Sequence, residues 1–230
     1  MKSIIVGQAL VAIGIIFIAS CLIFYTMGYR INFKNYTINK IGILSLNFAD
    51  HPDKISIDGK EHKNGNNFYI DLTPGNYDVI ASKAGHYDWN SSYLVKSGLV
   101  RKQNDIIFIK ENPEVTETLD EEVINKLNLP NTSLISEDKQ KLTSSDYEIW
   151  VNSKLITRYS ELVYGVTWFP GNDYIAFQIN DEIRIIDKFG ENDTLLVELE
   201  NSSITKFAFK GNGRELYYRD DSKYYVAKIR

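Results

Sequence analysis

From Ile4 to Met27 the chain runs 24 residues, IIVGQALVAIGIIFIASCLIFYTM, without one charged side chain. At about 1.5 Å per helical residue such a run reaches ~36 Å, enough to cross the hydrocarbon core of a bilayer. A core helix of a soluble protein needs one apolar face, not an apolar circumference of this length. The run therefore reads as an uncleaved transmembrane anchor over 4–27, preceded by a tail of residues 1–3. A secretory signal peptide would be shorter and would end in a small-x-small site, which does not follow Met27. Ile18-Ala19-Ser20-Cys21 offers a rival, because it resembles a lipobox whose cysteine is lipidated. Leu22-Ile23-Phe24-Tyr25 continues the apolar run where a lipoprotein would have a polar tether, which favours the anchor; lipidation at Cys21 stays as the alternative. Either way the bilayer is the first partner.

The flanks say less about orientation. Lys2 stands before the run, and Arg30, Lys34 and Lys40 follow it with no acid before Asp50. By the positive-inside rule this leans slightly against an external C-terminal part.

Composition narrows the function. The 230 residues carry 26 basic and 30 acidic side chains, a net charge of −4, which argues against nucleic acid as a partner. A single cysteine excludes an intramolecular disulfide framework. Fifteen Tyr and eleven Phe favour packed β structure. No phosphate-cradling glycine loop, His-Glu-x-x-His or Gly-x-Ser-x-Gly elbow occurs, and His51, His62 and His86 fall in turn segments. The expectation is a protein that is not an enzyme and has no cofactor or metal. Asp187 with Asn192-Asp193, and Asp220-Asp221, could hold a cation on paper, but hairpin turns favour the same residues for backbone reasons.

After residues 28–40, the segment 41–110 is read as short strands separated by turns. Gly42–Phe48, Lys54–Ile57, Phe68–Ile70, Tyr77–Ala81, Tyr93–Val95 and Asp105–Lys110 are the expected strands, several with period-2 alternation. Asp58-Gly59 predicts a hairpin turn, and Pro74-Gly75 a turn with glycine at its second central position. Gly42–Leu46, Ile57–Lys60, Leu72-x-Pro74-Gly75-x-Tyr77-x-Val79 and Lys83-x-Gly85-x-Tyr87 resemble a PEGA domain, a small β-sandwich of bacterial surface proteins. Where that family has its naming tetrapeptide, this chain has Pro52-Asp53-Lys54. Gly28–Phe33 also looks like the lead into such domains in membrane-anchored proteins. The resemblance implies a module outside the cytoplasm that binds or packs against cell-envelope material. Tyr77, Tyr87, Trp89 and Tyr93 are the candidate contacts: either an aromatic platform for sugar rings or ordinary packing, with Trp89 placed in a polar turn beside Asn90-Ser91-Ser92.

Residues 111–146 carry nine acids against three bases and read as an acidic linker with a solvated face. Thr118-Leu119-Asp120-Glu121 fits a capping box, predicting a helix over 119–128. From 147 to 230 the chain repeats. Val166, Trp168, Ile175, Phe177 and Ile185 align with Phe207, Phe209, Leu216, Tyr218 and Val226 at a constant offset. The unit of strand, tight turn and strand resembles TolB-type β-propeller repeats, and Tyr147–Arg158 looks like part of a preceding blade. Two to three blades cannot close a propeller of the usual four or more.

The expected fold is mainly β: one transmembrane helix, a PEGA-like sandwich, then a partial propeller-like set of antiparallel sheets. The expected function is a membrane-anchored, extracytoplasmic surface protein that binds envelope carbohydrate or peptidoglycan. The alternative is a scaffold or regulatory subunit whose incomplete blades dock on another membrane protein, an assembly that a charge at Trp168 or Phe209 would abolish.

Overall fold

The computed structural model describes residues 2–33, 36–128, 134–136, 139–201 and 203–230. It opens with α1 (Lys2–Thr26), 25 residues of helix. The hydroxyls of Ser20 and Thr26 donate to the Ile16 and Ile23 carbonyls at 2.8 and 2.9 Å, so these polar groups are satisfied inside the helix. Apolar side chains from Leu10 to Tyr25 stand exposed at successive positions, Phe17 at 69%. At 100° per residue they cover the whole circumference. The side chains of residues 1–6 and 9 lie outside the described ones, and among the described residues no helix is long and apolar enough to cross a membrane. A two-stranded hairpin follows, β1 (Tyr29–Asn32) and β2 (Thr37–Lys40).

The rest of the described chain is mainly β. Seven strands form two sheets: β3 (Gly42–Phe48), β4 (Lys54–Ile57), β5 (Lys60–His62), β6 (Asn67–Leu72), β7 (Gly75–Ser82), β8 (Trp89–Val95) and β9 (Val100–Ile106). One sheet runs β6-β3-β9 with β3 and β9 parallel; the other runs β5-β4-β7-β8, antiparallel throughout. Alternation on each strand sends one set of side chains to a shared core. Leu44, Leu46 and Phe48 from one sheet meet Ile55, Ile57, Val79 and Ala81 from the other. The Phe48 ring stacks on Phe108 at 5.9 Å and meets Trp89 edge-on at 6.2 Å.

Asp58 and Gly59 take φ of 48° and 74°, the pair of positive values that a tight hairpin needs. Pro74-Gly75 departs from expectation. Gly75 opens β7 without a positive φ, because β6 and β7 belong to different sheets and the chain turns a corner there rather than a hairpin. Tyr77 clasps that corner, its hydroxyl donating to the Thr73 carbonyl at 2.9 Å.

Beyond residue 110 come β10 (Glu114–Glu117), α2 (Glu121–Asn128) and ten further strands. Three sheets stack. The first is β11 (Leu142–Ser145), β12 (Glu148–Val151) and β13 (Lys154–Arg158). The middle one is β14 (Val163–Trp168), β15 (Tyr174–Ile179), β16 (Glu182–Asp187) and β17 (Thr194–Glu198). The last contains β18 (Phe207–Lys210), β19 (Glu215–Asp220) and β20 (Lys223–Lys228), with β10 added beside β20. An offset of 41 residues carries the limits of β15 and β16 onto those of β19 and β20.

The repeat also sets the packing. Trp168, Ile175 and Phe177 pack toward the first sheet with Leu142, Ile149 and Val151. Their counterparts Phe209, Leu216 and Tyr218 pack toward the middle sheet with Tyr174, Ala176 and Ile183. Each sheet thus presents the same face to its predecessor, and β15 is buried at all six positions. Gly213, at φ 80°, leaves room for the Phe169 ring, which contacts Phe209 at 4.8 Å; a Cβ there would overlap that ring.

Two features of the expected linker need correction. β10 is a strand and not linker: it is exposed throughout but pairs with β20, where Glu114 and Glu117 meet Lys228 and Lys223 at 3.0 and 3.1 Å. The helix starts two residues later than expected. Asp120 caps it, its carboxylate accepting the Glu122 N–H at 2.9 Å, while Thr118 bonds the Asp120 N–H. Leu127 of α2 is buried, and Glu122 reaches Lys210 of the last sheet at 3.8 Å.

Gln178 ties the middle sheet to the last. Its amide donates to the Asn180 and Ser203 carbonyls at 2.7 and 2.9 Å and accepts the Thr205 N–H at 2.9 Å. Gln178→Leu strands the Thr205 N–H in the interior, and a loss of ~1–3 kcal/mol is expected by urea unfolding in detergent. Gln178→Glu keeps the acceptor but sets a buried carboxylate oxygen against the Asn180 and Ser203 carbonyls, so it should lose more than the leucine variant.

Candidate functional site

The expected aromatic platform does not exist as an exposed surface. Trp89 and Tyr93 are each 3% exposed and belong to the core between the first two sheets. Trp89 opens β8 rather than sitting in a turn. Asn90 and Leu94 point out to solvent while Trp89, Tyr93 and Val95 point in. Tyr77 packs half-buried on the same core, and Tyr87 on the core of the stack, with its N–H bonded to the Ile109 carbonyl at 2.8 Å. Beside Trp89 lies a cavity of about 20 Å³, lined by Tyr174, Ile107, Asn192 and Thr194 among others. That is far below the ~300 Å³ of a small-ligand pocket.

This region is instead the joint between the sheet pair and the stack. Asp187, 4% exposed, accepts the N–H groups of Phe189 and Glu191 at 2.9 Å and the Asn192 amide at 3.0 Å. Burial pushes its carboxyl up, and the bonds from the turn oppose this. The turn so held reaches the other unit: the Asn90 N–H donates to Asn192 Oδ1 at 2.7 Å and Ser91 to Glu191 at 2.5 Å. Asp193 is taken by Arg184 and Tyr159, and Asp220 by the Glu200 N–H. Asp187, Asp193 and Asp220 are therefore engaged in turn and ion-pair contacts. Among the described residues no group of three His, Cys, Asp or Glu is placed to hold a metal.

A second contact joins residues 180 positions apart. Arg230, with its side chain 8% exposed, pairs with Asp50 at 2.9 Å. Burial pushes the Asp50 carboxyl up, but the Arg230 guanidinium outweighs it and holds the group below its usual range. A depressed carboxyl stabilises the fold above its unfolded pKa and loses that contribution as pH falls through the folded one. The wild-type chain should therefore lose stability below about pH 4, and Asp50→Asn should flatten this part of the profile while costing ~1–3 kcal/mol at neutral pH. Thermal melts between pH 3 and 7 would show both.

Two larger recesses are found among the described residues. Under α2 lies a recess of about 370 Å³ lined by Leu127, Ile204, Lys206, Arg219, Asp221 and Tyr224 among others. Its polar groups are partly spent within the chain, since Arg219 Nε donates to the Asp221 carbonyl at 2.8 Å. The other lies on the outer face of the first sheet. Here Thr143 pairs across from Trp150, and Trp150 across from Leu155. Trp150 is half-buried and donates Nε1–H to Glu148 at 3.0 Å, and Arg158 bonds the same carboxylate from the third strand. A shallow recess of about 320 Å³ is lined by Thr143, Ser144, Ser145, Trp150 and Ser153.

This face corresponds to the one that the middle and last sheets press onto their predecessors, but it carries Thr143, Ser145 and the Glu148–Arg158 pair beside Trp150 and Leu155 in place of a continuous apolar set. In the sequence Tyr147–Arg158 reads only as part of an earlier repeat, and the Thr143-Ser144-Ser145 run that lies across from Trp150 carries no local sign of that pairing. Trp168 and Phe209, considered as docking residues, are 8% and 9% exposed between sheets and are not on a surface.

No family model matches the chain, and no curated protein was found to be similar to it.

Proposed function

We propose that this is a single-pass membrane protein without catalytic machinery, which holds a β-built recognition surface close to the bilayer. The observation that carries the reading is α1: it lies in an uncharged run of 24 residues, Ile4–Met27, and its apolar side chains from Leu10 to Tyr25 stand exposed around the helix. Exposed apolar surface on this scale has no stable place in water. The sheet pair, with Leu72–Val79 and Lys83–Tyr87, fits a PEGA-like sandwich. The stack, with its constant face-to-predecessor packing, fits a shortened set of propeller-like sheets. Placement outside the cytoplasm rests on the PEGA resemblance, against which the charges flanking α1 lean.

The recognition surface we assign is the outer face of the first sheet. An indole flanked by the Thr143 and Ser145 hydroxyls and by the Glu148–Arg158 pair suits a sugar ring, which offers C–H groups to the aromatic face and hydroxyls to its polar rim. The same polarity disfavours the docking of another apolar sheet. Purified envelope glycans should retain the wild-type chain, and Trp150→Ala should abolish retention without lowering the melting temperature. Equal retention of the two proteins would remove this surface from the reading. Protease added to intact cells should cut the β part; protection until lysis would reverse the orientation.

A further inference from the structure

The hairpin between the helix and the sheet pair has two unlike faces. Register pairs Tyr29 with Lys40, Ile31 with Ile38 and Arg30 with Asn39. Residues opposite one another share a face, so Tyr29, Ile31, Ile38 and Lys40 lie on one side and Arg30, Thr37 and Asn39 on the other. The apolar side is open: Ile31 is 59% exposed and Ile38 67%, and Phe33 and Tyr36 near the tip are 76% and 90%. Among the described residues the hairpin has no third strand. A two-stranded ribbon with its apolar face in water is marginal at best.

What covers that face is indicated by its neighbours. Phe24, in the last turn of α1, meets Tyr29 edge-on at 5.4 Å, so the apolar surface of the helix continues onto the hairpin without a break. Arg30, on the opposite side, stacks over the Tyr25 ring at 3.8 Å and pairs with Asp71 of β6 at 3.4 Å. This turns the polar face toward the sheet pair and the apolar face away from it. Lys40 lies 5.4 Å from the Tyr29 ring centre, placing a cation at the border of the apolar patch. Tyr, an aliphatic pair and a bordering lysine are the residue types that settle at the boundary between acyl chains and headgroups.

We infer that the strands β1 and β2 lie in the headgroup layer of the same bilayer that carries α1, with Ile31, Phe33, Tyr36 and Ile38 in contact with lipid. The inference rests on the membrane reading of α1 and deepens it. The hairpin acts as a foot: the Arg30–Asp71 pair passes its orientation to the sheet pair, so the β units are held at a fixed angle to the surface instead of swinging on a tether.

The test uses the full chain with Cys21→Ser, reconstituted in phosphatidylcholine–phosphatidylglycerol vesicles, carrying a fluorophore on one introduced cysteine at a time. Ile38→Cys reports the apolar face, Thr37→Cys the polar face and Ile16→Cys the middle of α1. Headgroup-labelled nitroxide lipids should quench the Ile38→Cys reporter several-fold more than the Thr37→Cys reporter, and aqueous iodide should show the reverse order. The Ile16→Cys reporter should be quenched by nitroxides deep in the acyl chains. Equal iodide quenching at positions 37 and 38 with deep quenching at 16 would overturn the foot and leave the anchor standing. Loss of deep quenching at 16 would overturn both. Replacing Ile31 and Phe33 by Glu should expose the Ile38→Cys reporter to iodide while the chain stays vesicle-bound; an unchanged reporter would also count against the inference.

Discussion

Phe177→Ala is expected to lower the stability of the stacked sheets by ~3–5 kcal/mol, the cost of emptying a large apolar site that cannot collapse. Phe177 is fully buried in β15, the strand covered on both faces, and the Tyr159 ring rests 5.3 Å away. Its neighbours Leu142, Ile149 and Ile175 come from two different sheets, so inward relaxation would require the sheets themselves to approach. Urea unfolding followed by tryptophan fluorescence reads this directly, because Trp150 and Trp168 belong to the sheets that part. A loss below about 1 kcal/mol would mean that the first and middle sheets are not packed as described.

Trp168→Glu is expected to abolish folding of the stack. Trp168 sits in a wholly apolar cluster between the first and middle sheets, and an unpaired carboxylate there costs several kcal/mol, a large share of what a small domain has. Near-UV dichroism should collapse, and protease should digest the region from 142 to 228. This outcome separates two accounts of the repeat. If Trp168 lay on a free blade face awaiting a partner, the variant would remain folded and lose only its assembly. A folded, protease-resistant monomer would therefore contradict the stack.

Much of this architecture was legible in residue order. The constant offset between Val166–Ile185 and Phe207–Val226 marked the two complete repeats, because equal positions in a repeat must fill equal positions in a stack. Asp58-Gly59 declared its hairpin through the only backbone that Asp-Gly favours. What escaped had a physical reason in each case. β10 is four residues long, exposed throughout, and gains its identity from β20 at the far end of the chain. β9 reads as polar because only Gln103 and Ile106 turn inward. Trp89 looked like a turn residue because its outward neighbours are Asn and Ser; period-2 burial explains both the polar run and the buried indole. Thr118 matched a capping box, but Asp120 took the cap two residues later. The outer face of the first sheet was hidden for a related reason: the side chains that could bind a ligand come from different strands, and no local pattern announces their meeting.

The central claim is that α1 sits in a bilayer and ties the β units to it. Alkaline carbonate extraction of membranes from cells making the full chain tests this most directly. The account predicts that the chain stays in the pellet and is released only by detergent. Recovery of folded chain in the carbonate supernatant would contradict it.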